Sequence, residues 1–332
     1  MNDVYFSKEV ENIAGLIESN KLVKKARKIG IKVHFGEKGC ITFISPDDVK
    51  NIYTAAKKAN NKAEISLVET NSLYRGSRTN TEEHLKTAKE HGFDFAPIDI
   101  LDSDGDYEIE TETKNFKKIK AGKNIKDYDL LVIMSHVKGH VMAGYGGAFK
   151  NVAMGLASRA GKLDMHSRIS PKVNIKKCES CGKCISECPA NAIVFDRNKK
   201  AEIRSSCIGC AHCIAVCPSG AIKIPWGSVD GRELGERIVD YSYGLTKFKK
   251  MVYINVLKNI TKDCDCLDKK QEKEMEDVGY LFSEDIVAIE QASFDFVKKV
   301  LSKLYPLNIQ NQFDYAQNIG MGNKKYELKE AR

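Results

Sequence analysis

Apolar positions in the first 100 residues alternate between helical and strand-like spacing. Residues 1–28 carry apolar side chains at helical intervals, which predicts a mostly helical start that Gly30 ends. The elements predicted next are strand 31–36, helix 46–59, strand 63–69, helix 81–92 and strand 95–100. Strands that alternate with helices in this way predict an α/β fold, with a mostly parallel sheet flanked by helices.

The most buried strand is predicted at 129–134, where the apolar run is continuous. Two short segments at 107–109 and 115–119 predict a hairpin or edge strands before it. A glycine-rich turn at 144–147 follows it and leads into a predicted helix at 148–157. This part of the chain therefore continues the strand-and-helix pattern.

The end of the chain returns to the same pattern after an interruption. Residues 251–257 predict a strand. Ser283 predicts the N-cap of a helix with an apolar face, because acidic residues follow it in the first turn. The polar chain after Gly320 is expected to be a loosely held tail.

Eight of the eleven cysteines form the interruption, in two runs with the spacing C-x-x-C-x-x-C-x-x-x-C-P. Three thiolates two residues apart can wrap three corners of one iron–sulfur cubane, and in two-cluster ferredoxins the fourth Cys ligates the other cluster. The runs therefore predict two [4Fe–4S] clusters in an inserted ferredoxin-like domain. The predicted ligands are Cys178, Cys181, Cys184 and Cys217 for the first cluster, and Cys207, Cys210, Cys213 and Cys188 for the second.

Disulfides and zinc are the other common uses of closely spaced cysteines. Disulfides are typical of small secreted chains, and the first residues lack the basic and apolar regions of an export signal. Zinc sites generally use two Cys pairs with a longer gap between them. We therefore expect a cytoplasmic protein of a reducing, anaerobic cell. Its predicted organisation is a first α/β part at 1–170, the insert at 171–225, and a second α/β part at 226–332.

Charge and composition bear on the partners. The chain has 332 residues and a net charge of +8, and no apolar run approaches the length of a membrane span. Lys and Arg are scattered, and neither a recognition-helix pattern nor an aromatic RNA-binding strand is present. We expect no nucleic acid and no membrane span. The basic surface would suit an acidic redox partner protein.

Polar segments follow three of the predicted strands. Ligands of parallel α/β sheets bind beyond the carboxyl ends of the strands, so a site is expected where these segments meet. Its candidate catalytic residues are His34, Asn71, His136, Lys138 and His140, and His166 lies at another loop position. For each histidine the alternative is a structural hydrogen bond.

A candidate anion site lies at the glycine-rich turn, because a helix N-terminus exposes backbone N–H groups. The turn matches neither the dinucleotide-binding nor the phosphate-loop motif, and its glycines would otherwise serve only the backbone shape. The residues of this candidate site are Gly146, Gly147, Lys150, Arg75, Arg78 and Lys162.

Cys264 and Cys266 form a C-x-C pair outside the two runs and are a candidate third metal site. Asp263 and Asp265 would either add oxygen ligands or raise the pKa values of the thiols. Inert thiols are the alternative. Cys40 is interpreted as structural.

These segments together resemble the DUF362 family of iron–sulfur proteins, whose members often carry an inserted ferredoxin segment. The resemblance lies in K-V-H-F-G-E at 32–37, T-N-S-L-Y-R-G-S-R at 70–78, S-H-V-K-G-H at 135–140, G-G-A-F-K-N at 146–151, M-G at 154–155, G-K at 161–162, His166 and D-C-D-C at 263–266. At 285–290 the chain reads D-I-V-A-I-E where the family pattern has Asp-Pro-Val-Ala before an Asp, so no role is assigned to Glu290. The resemblance implies clusters and a polar site, without naming a substrate.

The sequence therefore predicts an iron–sulfur redox protein that relays electrons through two clusters to a polar site on the α/β body. An oxidoreductase acting on an unidentified small molecule is the first interpretation. A non-catalytic electron carrier or adaptor is the second. A metal-handling or cofactor-maturation protein, with an additional metal ion at the C-x-C pair, is the third.

Overall fold

The computed structural model describes residues 2–167, 169–306 and 309–332. Its strands, in chain order, are β1 (Asn2–Ser7), β2 (Lys28–Lys32), β3 (Glu64–Glu69), β4 (Ile98–Ile100), β5 (Asp106–Glu110), β6 (Lys118–Gly122), β7 (Leu130–His136), β8 (Lys138–His140), β9 (Gly144–Gly146), β10 (Lys172–Val173), β11 (Ile193–Phe195), β12 (Ala201–Ile203), β13 (Ile222–Lys223), β14 (Lys250–Leu257), β15 (Gly279–Ser283) and β16 (Tyr326–Glu330).

Helices fill most of the intervals between the longer strands. They are α1 (Val10–Ser19), α2 (Lys21–Lys25), α3 (Pro46–Ala59), α4 (Thr81–Glu90), α5 (Ala148–Leu156), α6 (Arg159–His166), α7 (Lys183–Ser186), α8 (His212–Val216), α9 (Gly231–Phe248), α10 (Ile286–Leu304) and α11 (Gln310–Asn318), with 3-10 turns at Lys123–Asp127 and Ile175–Lys177. No helix in these described ranges is long and apolar enough to cross a membrane.

Eight strands form one sheet in the order β16-β1-β15-β14-β7-β2-β3-β4. All neighbours are parallel except β15, which is antiparallel to both β1 and β14. Alternate residues of the fully buried strand β7 enter two separate hydrophobic cores. Leu131 and Ile133 pack on the face covered by α5, α9 and α10, and Val132 packs on the face covered by α1 and α3. The predicted α/β fold with a mostly parallel, helix-flanked sheet is confirmed.

Both ends of the chain differ from their predictions. Residues 2–7 form strand β1, where a helix was predicted, and Gly30 lies inside β2. The tail predicted to be loose forms β16, which pairs in parallel with β1 from Asn2 opposite Tyr326 onwards. Hydrogen bonds between segments at opposite ends of the chain stabilise these strands, and no local pattern contains that information.

Two further boundaries also differ. Ser283 ends β15, and the N-cap of α10 is Asp285, whose carboxylate accepts from Val287 N–H at 2.7 Å and Ala288 N–H at 2.9 Å. The glycine-rich segment predicted as a turn forms β9 and pairs with β8, so 138–146 is a hairpin. Lys138 and His140 therefore lie on a strand and not in the loop that was predicted.

The segment with the two Cys runs has its own small hydrophobic core. Its ends are held together by the β10–β13 pair, and β11 and β12 form a hairpin inside it. Cys184 in α7 and Cys213 in α8 are both buried in this core. Two residues of the α/β body, Leu73 and Leu163, pack into the same core. The Cys segment therefore contacts the rest of the molecule directly.

Candidate functional site

A cavity of about 380 Å³ opens at the carboxyl ends of β2, β3, β7 and β14. The parallel strands bring together loops that are more than 200 residues apart, as parallel sheets do at this edge. Most of the candidates predicted from the sequence line it. These are His34, His136, Lys138, His140, His166, Arg78, Lys150, Lys162, Gly146, Gly147, Cys264 and Cys266.

Asn71 and Arg75 lie away from the cavity. The Asn71 backbone N–H and side-chain amide donate to Asp102 Oδ1 at 2.8 and 3.1 Å, which ties the loop after β3 to the chain after β4. Arg75 is exposed, and its Nη1 donates to the carbonyl of Pro218 at 2.8 Å. Asn71 therefore has structural bonds, and Arg75 contacts the Cys segment.

A buried network of charges lies under the cavity. Glu69 accepts from Lys32 Nζ at 2.9 Å and from Arg78 Nη1 at 3.1 Å, and Arg78 Nε lies 3.4 Å from Glu37. Burial opposes ionisation of Glu69, but the two cations lower its pKa to about 2. A Lys in an otherwise apolar strand was the sequence signal for this network, and sequence analysis missed it.

His34 and His140 have their tautomers set by backbone donors. Nδ1 of His34 accepts from Gly36 N–H, and Nδ1 of His140 accepts from Ala143 N–H, both at 3.0 Å. Burial, followed by the charges of neighbouring cations, holds both pKa values well below the ordinary 6.5. Both rings are therefore neutral near pH 7 with the proton on Nε2. Neither Nε2–H has a partner among the described residues, so both are available to a ligand in the cavity.

The side chains of His136 and Asp265 are both held in structural hydrogen bonds. His136 Nδ1 lies 2.8 Å from Asp265 Oδ2, and Nε2 lies 2.9 Å from the carbonyl of Lys258. Lys138 Nζ is 3.0 Å from the same carboxylate. Burial opposes ionisation of Asp265, but His136 and Lys138 hold its pKa far below the usual range. His136 is thus a positioning residue, and the Oδ2 of Asp265 is held by His136 and Lys138.

The C-x-C pair faces the cavity from the loop after β14. Lys150 Nζ lies 2.9 Å from Cys264 Sγ, and Tyr74 and Cys266 line the same cavity. The adjacent Cys266 thiol lowers the pKa of Cys264 well below its ordinary value; burial opposes this and Lys150 assists it. Cys264 is therefore the thiolate of the pair, and Cys266, whose pKa is raised, keeps its proton. No third His, Cys, Asp or Glu completes a metal-binding group here among the described residues.

The predicted anion site at the N-terminus of α5 is filled by the chain itself. Glu290 accepts from the N–H groups of Ala148 at 2.7 Å and Phe149 at 3.1 Å. A Cβ at Gly147 would lie 2.2 Å from Glu290 Oε1, so glycine is required for this approach. The helix N-terminus is therefore not open to a ligand anion.

Lys162 is a cavity cation that forms no ion pair with a carboxylate among the described residues. Its Nζ donates to the Ala157 carbonyl at 2.7 Å and to Thr70 Oγ1 at 2.5 Å. Burial lowers its pKa to about 8. His166 contributes a further unsatisfied atom, since its buried Nδ1 has no hydrogen-bond partner among the residues that the structure describes. These groups face apolar walls that include Met154 and Trp226. The sequence did not predict these two residues as part of the site, because a lone apolar residue carries no positional signal.

Cysteines from both runs line one small cavity. Cys178, Cys181 and Cys184 of the first run share it with Cys217 of the second. The reciprocal group combines Cys188 of the first run with Cys207 and Cys210 of the second. Burial raises the pKa of Cys210, and the nearby Cys188 and Cys207 raise it further. The described residues contain no single-ion site here. A cubane holds its thiolates at separate corners, farther apart than the ligands of one ion, so the donor set and the crossed arrangement fit the cluster.

Backbone donors point at the sulfurs of these runs. Sγ of Cys178, Cys188 and Cys217 accept from backbone N–H groups at 3.4, 3.3 and 3.2 Å, respectively. Burial opposes the Cys217 thiolate, yet these and neighbouring donors lower the pKa of that thiol. Thiolate is the form that binds iron, so the local backbone favours the ligand state.

This chain belongs to the DUF362 family (Domain of unknown function), whose family model matches residues 29–295. The family predicted from the sequence is thereby confirmed. None of the curated proteins matches the chain.

Two solved structures are similar in fold. One is the lactate racemase apoprotein from Thermoanaerobacterium thermosaccharolyticum, with 14% identity, 90% of this chain and 58% of that chain covered, and a TM-score of 0.48. The other is a protein from Thermotoga maritima, with 11% identity, 94% and 60% covered, and a TM-score of 0.41. This chain thus spans less than two thirds of the length of each of these two proteins, and neither structural similarity bears on its function.

Proposed function

We propose that this protein is an iron–sulfur oxidoreductase in which two [4Fe–4S] clusters, held in a ferredoxin-like insert, pass electrons to a small molecule in the large cavity. The supporting observation is the crossed cysteine arrangement. Cys217 lines the same small cavity as the first run, and Cys188 is near enough to Cys210 of the second run to raise its pKa. Two-cluster ferredoxins require this exchange of the fourth ligand.

The residues between the Cys segment and the cavity form a short connection. Leu73 packs against the core that contains Cys184 and Cys213, and it also lines the cavity. Tyr74 follows it in the wall beside Cys266, and Arg75 binds the carbonyl of Pro218. When bound, the clusters would supply one-electron transfer. The three consecutive residues would hold the Cys segment against the site.

The cavity would receive a molecule with an acceptor-rich or anionic group and an apolar body. His34 and His140 offer neutral Nε2–H donors, and Lys162 offers an ammonium held by the Ala157 carbonyl and the Thr70 hydroxyl. Met154 and Trp226 provide apolar surface. Because burial lowers the pKa of Lys162 to about 8, this residue is suited to deliver a proton near neutral pH. This formed cavity favours an oxidoreductase over a carrier without a substrate.

The test is iron and sulfide analysis after anaerobic purification, supported by double variants that separate the two ligand sets. The wild-type protein should hold about eight iron and eight sulfide per chain. Cys178→Ser/Cys217→Ser removes two ligands of one cluster, so about half the iron should remain. Cys178→Ser/Cys188→Ser removes one ligand from each cluster, so both should be lost or severely depleted.

The matched pair of variants differs only in the second cysteine, so general damage to the segment is controlled. The reverse result, with half the iron kept in Cys178→Ser/Cys188→Ser, would mean that each run holds its own cluster. Zinc in place of iron in the wild-type protein would overturn the proposal.

A further inference from the structure

The turn that carries Cys264 and Cys266 places their side chains on the same cavity. The N–H of Leu267 donates to the carbonyl of Cys264 at 3.2 Å, which closes a four-residue turn. A turn of this kind brings the first and third residues within the Cα separation that a disulfide needs. Disulfide formation therefore requires only local movement.

The surroundings of the pair fit a nucleophilic dithiol better than a metal site. An ammonium, Lys150 Nζ, contacts Cys264 Sγ at 2.9 Å and would oppose a metal cation at that sulfur. The two flanking carboxylates bind elsewhere: Asp265 to His136, and Asp263 to Tyr305 at 2.7 Å. A thiolate next to a thiol and a cation is the arrangement of reactive cysteines.

We propose that Cys264 and Cys266 form a redox-active dithiol–disulfide pair that reduces a low-molecular-weight disulfide bound in the cavity. The Cys264 thiolate attacks one sulfur of the substrate, the substrate S–S bond breaks, and the first substrate thiolate leaves and takes the proton of Cys266. The Cys266 thiolate then attacks Cys264 Sγ. The mixed disulfide breaks, the second substrate thiolate leaves and takes a proton from water, and the pair is oxidised by two electrons as the substrate is reduced by two.

The depth of the pair selects for small substrates. Cys264 is 7% exposed and is reached through the cavity of about 380 Å³, so a disulfide on a folded protein would not reach it. Lys162 and the two histidine Nε2–H groups would bind acceptor oxygens of the substrate. Apolar surface from Met154 and Trp226 would cover its carbon chain.

Regeneration rests on the proposed function. Reducing the 264–266 disulfide takes two electrons and two protons, and two one-electron clusters would together supply the two electrons. Tyr74 lines the cavity beside Cys266, and its neighbour Leu73 packs into the core of the Cys segment. The exchange with a substrate disulfide needs no cluster, so it can be tested separately.

The experiment uses bis(2-hydroxyethyl) disulfide as the probe on anaerobically purified, reduced protein. After acid quenching, alkylation and trypsin digestion, the peptide 263–269 contains both cysteines and none of the others. We expect this peptide to lose two hydrogens and to escape alkylation. A peptide that stays doubly alkylated, or that carries two probe adducts, would overturn the proposal, as would zinc that copurifies with the pair and blocks oxidation.

Single variants establish the order of attack. Cys266→Ser should trap the probe as a stable adduct on Cys264. Cys264→Ser should react at least about tenfold more slowly, because Cys266 lacks the contact with Lys150. Equal adduct formation in both would contradict the assigned roles.

Cys40→Ser is the matched control, since Cys40 Sγ lies 4.0 Å from Asp265 Oδ1 but does not line the cavity. It should leave the 264–266 disulfide unchanged, whereas its loss in Cys40→Ser would show that Cys40 is the true partner. Iron analysis tests the clusters and peptide mapping tests the dithiol, so a negative result in one leaves the other unaffected. Missing clusters with an intact exchange reaction would remove the proposed electron relay and leave the dithiol.

Discussion

Lys150 Nζ lies 2.9 Å from Cys264 Sγ and joins helix α5 to the turn that follows β14. The contact couples a buried cation to a thiolate at the cavity wall. Its loss has consequences for thiol reactivity that can be measured directly.

Lys150→Met should raise the pKa of Cys264, because the thiolate then loses its contacting cation. We expect the rate of Cys264 alkylation by iodoacetamide at pH 7 to fall by about tenfold or more, since each pKa unit changes the thiolate fraction tenfold. Lys269→Met is the control, because this half-exposed lysine belongs to the same loop but pairs with Asp263. Equal rates in wild type and Lys150→Met would rule out activation by this contact.

Lys162 should make stability rise with pH in the alkaline range. Burial lowers its pKa from 10.5 to about 8, so between these values the unfolded chain binds a proton that the folded chain does not. Between pH 8 and 10.5, the free energy of unfolding of the wild type should therefore rise by about 3 kcal/mol relative to that of Lys162→Met. Urea unfolding at several pH values measures this. Lys50→Met, at an exposed position of α3, should show no such trend, and a pH-independent difference for Lys162→Met would contradict the prediction.

Glu69 should stabilise the fold above pH 4.5 through Lys32 and Arg78. Glu69→Gln leaves two buried cations short of their partner, and the expected loss is about 3–5 kcal/mol at pH 7. Because the pKa of Glu69 is lowered to about 2, the difference from wild type should shrink as the pH falls from 4.5 towards 2. Glu64→Gln, exposed on the same strand, is the control, and a loss that persists unchanged at pH 2 would be inconsistent with the ion-pair explanation.

Glu290 should be needed for the N-terminus of α5. Its carboxylate accepts from two backbone N–H groups and from Tyr145 and Asn255, and the amide of Gln would direct hydrogens at some of these donors. We expect Glu290→Gln to cost about 2–3 kcal/mol in urea unfolding. Glu284→Gln keeps an acceptor for Asn20 on the surface and should change stability little. An equal cost in both variants would remove the capping explanation.

The sequence predicted most of the body because its patterns were local. Helix α3 has the predicted bounds, Pro46–Ala59, since a Pro and two acidic residues mark its start. Residues 130–134 of the strand predicted at 129–134 lie in β7. The rule that parallel strands end at a common edge also predicted that His34, His136 and His140 would lie near one another.

Other parts of the site depended on contacts between distant segments. The sequence contains no sign that His136 binds Asp265 across 129 positions, or that Glu290 fills the helix N-terminus expected to bind a ligand. Whether a polar residue faces the cavity or a buried partner depends on which groups the packed sheet brings within hydrogen-bonding distance. Asn71 shows the same effect, because its N–H groups donate to Asp102 away from the cavity.

By itself the sequence determined the family, the parallel α/β body and the two Cys runs, because short-range spacing specifies helices, strands and closely spaced ligands. Only the tertiary structure decided that β1 and β16 pair, that Glu290 fills the N-terminus of α5, and that Lys150 contacts Cys264. Each of these depends on how elements far apart in the chain pack on one sheet. Burial then sets which charges stay paired and which groups remain available in the cavity.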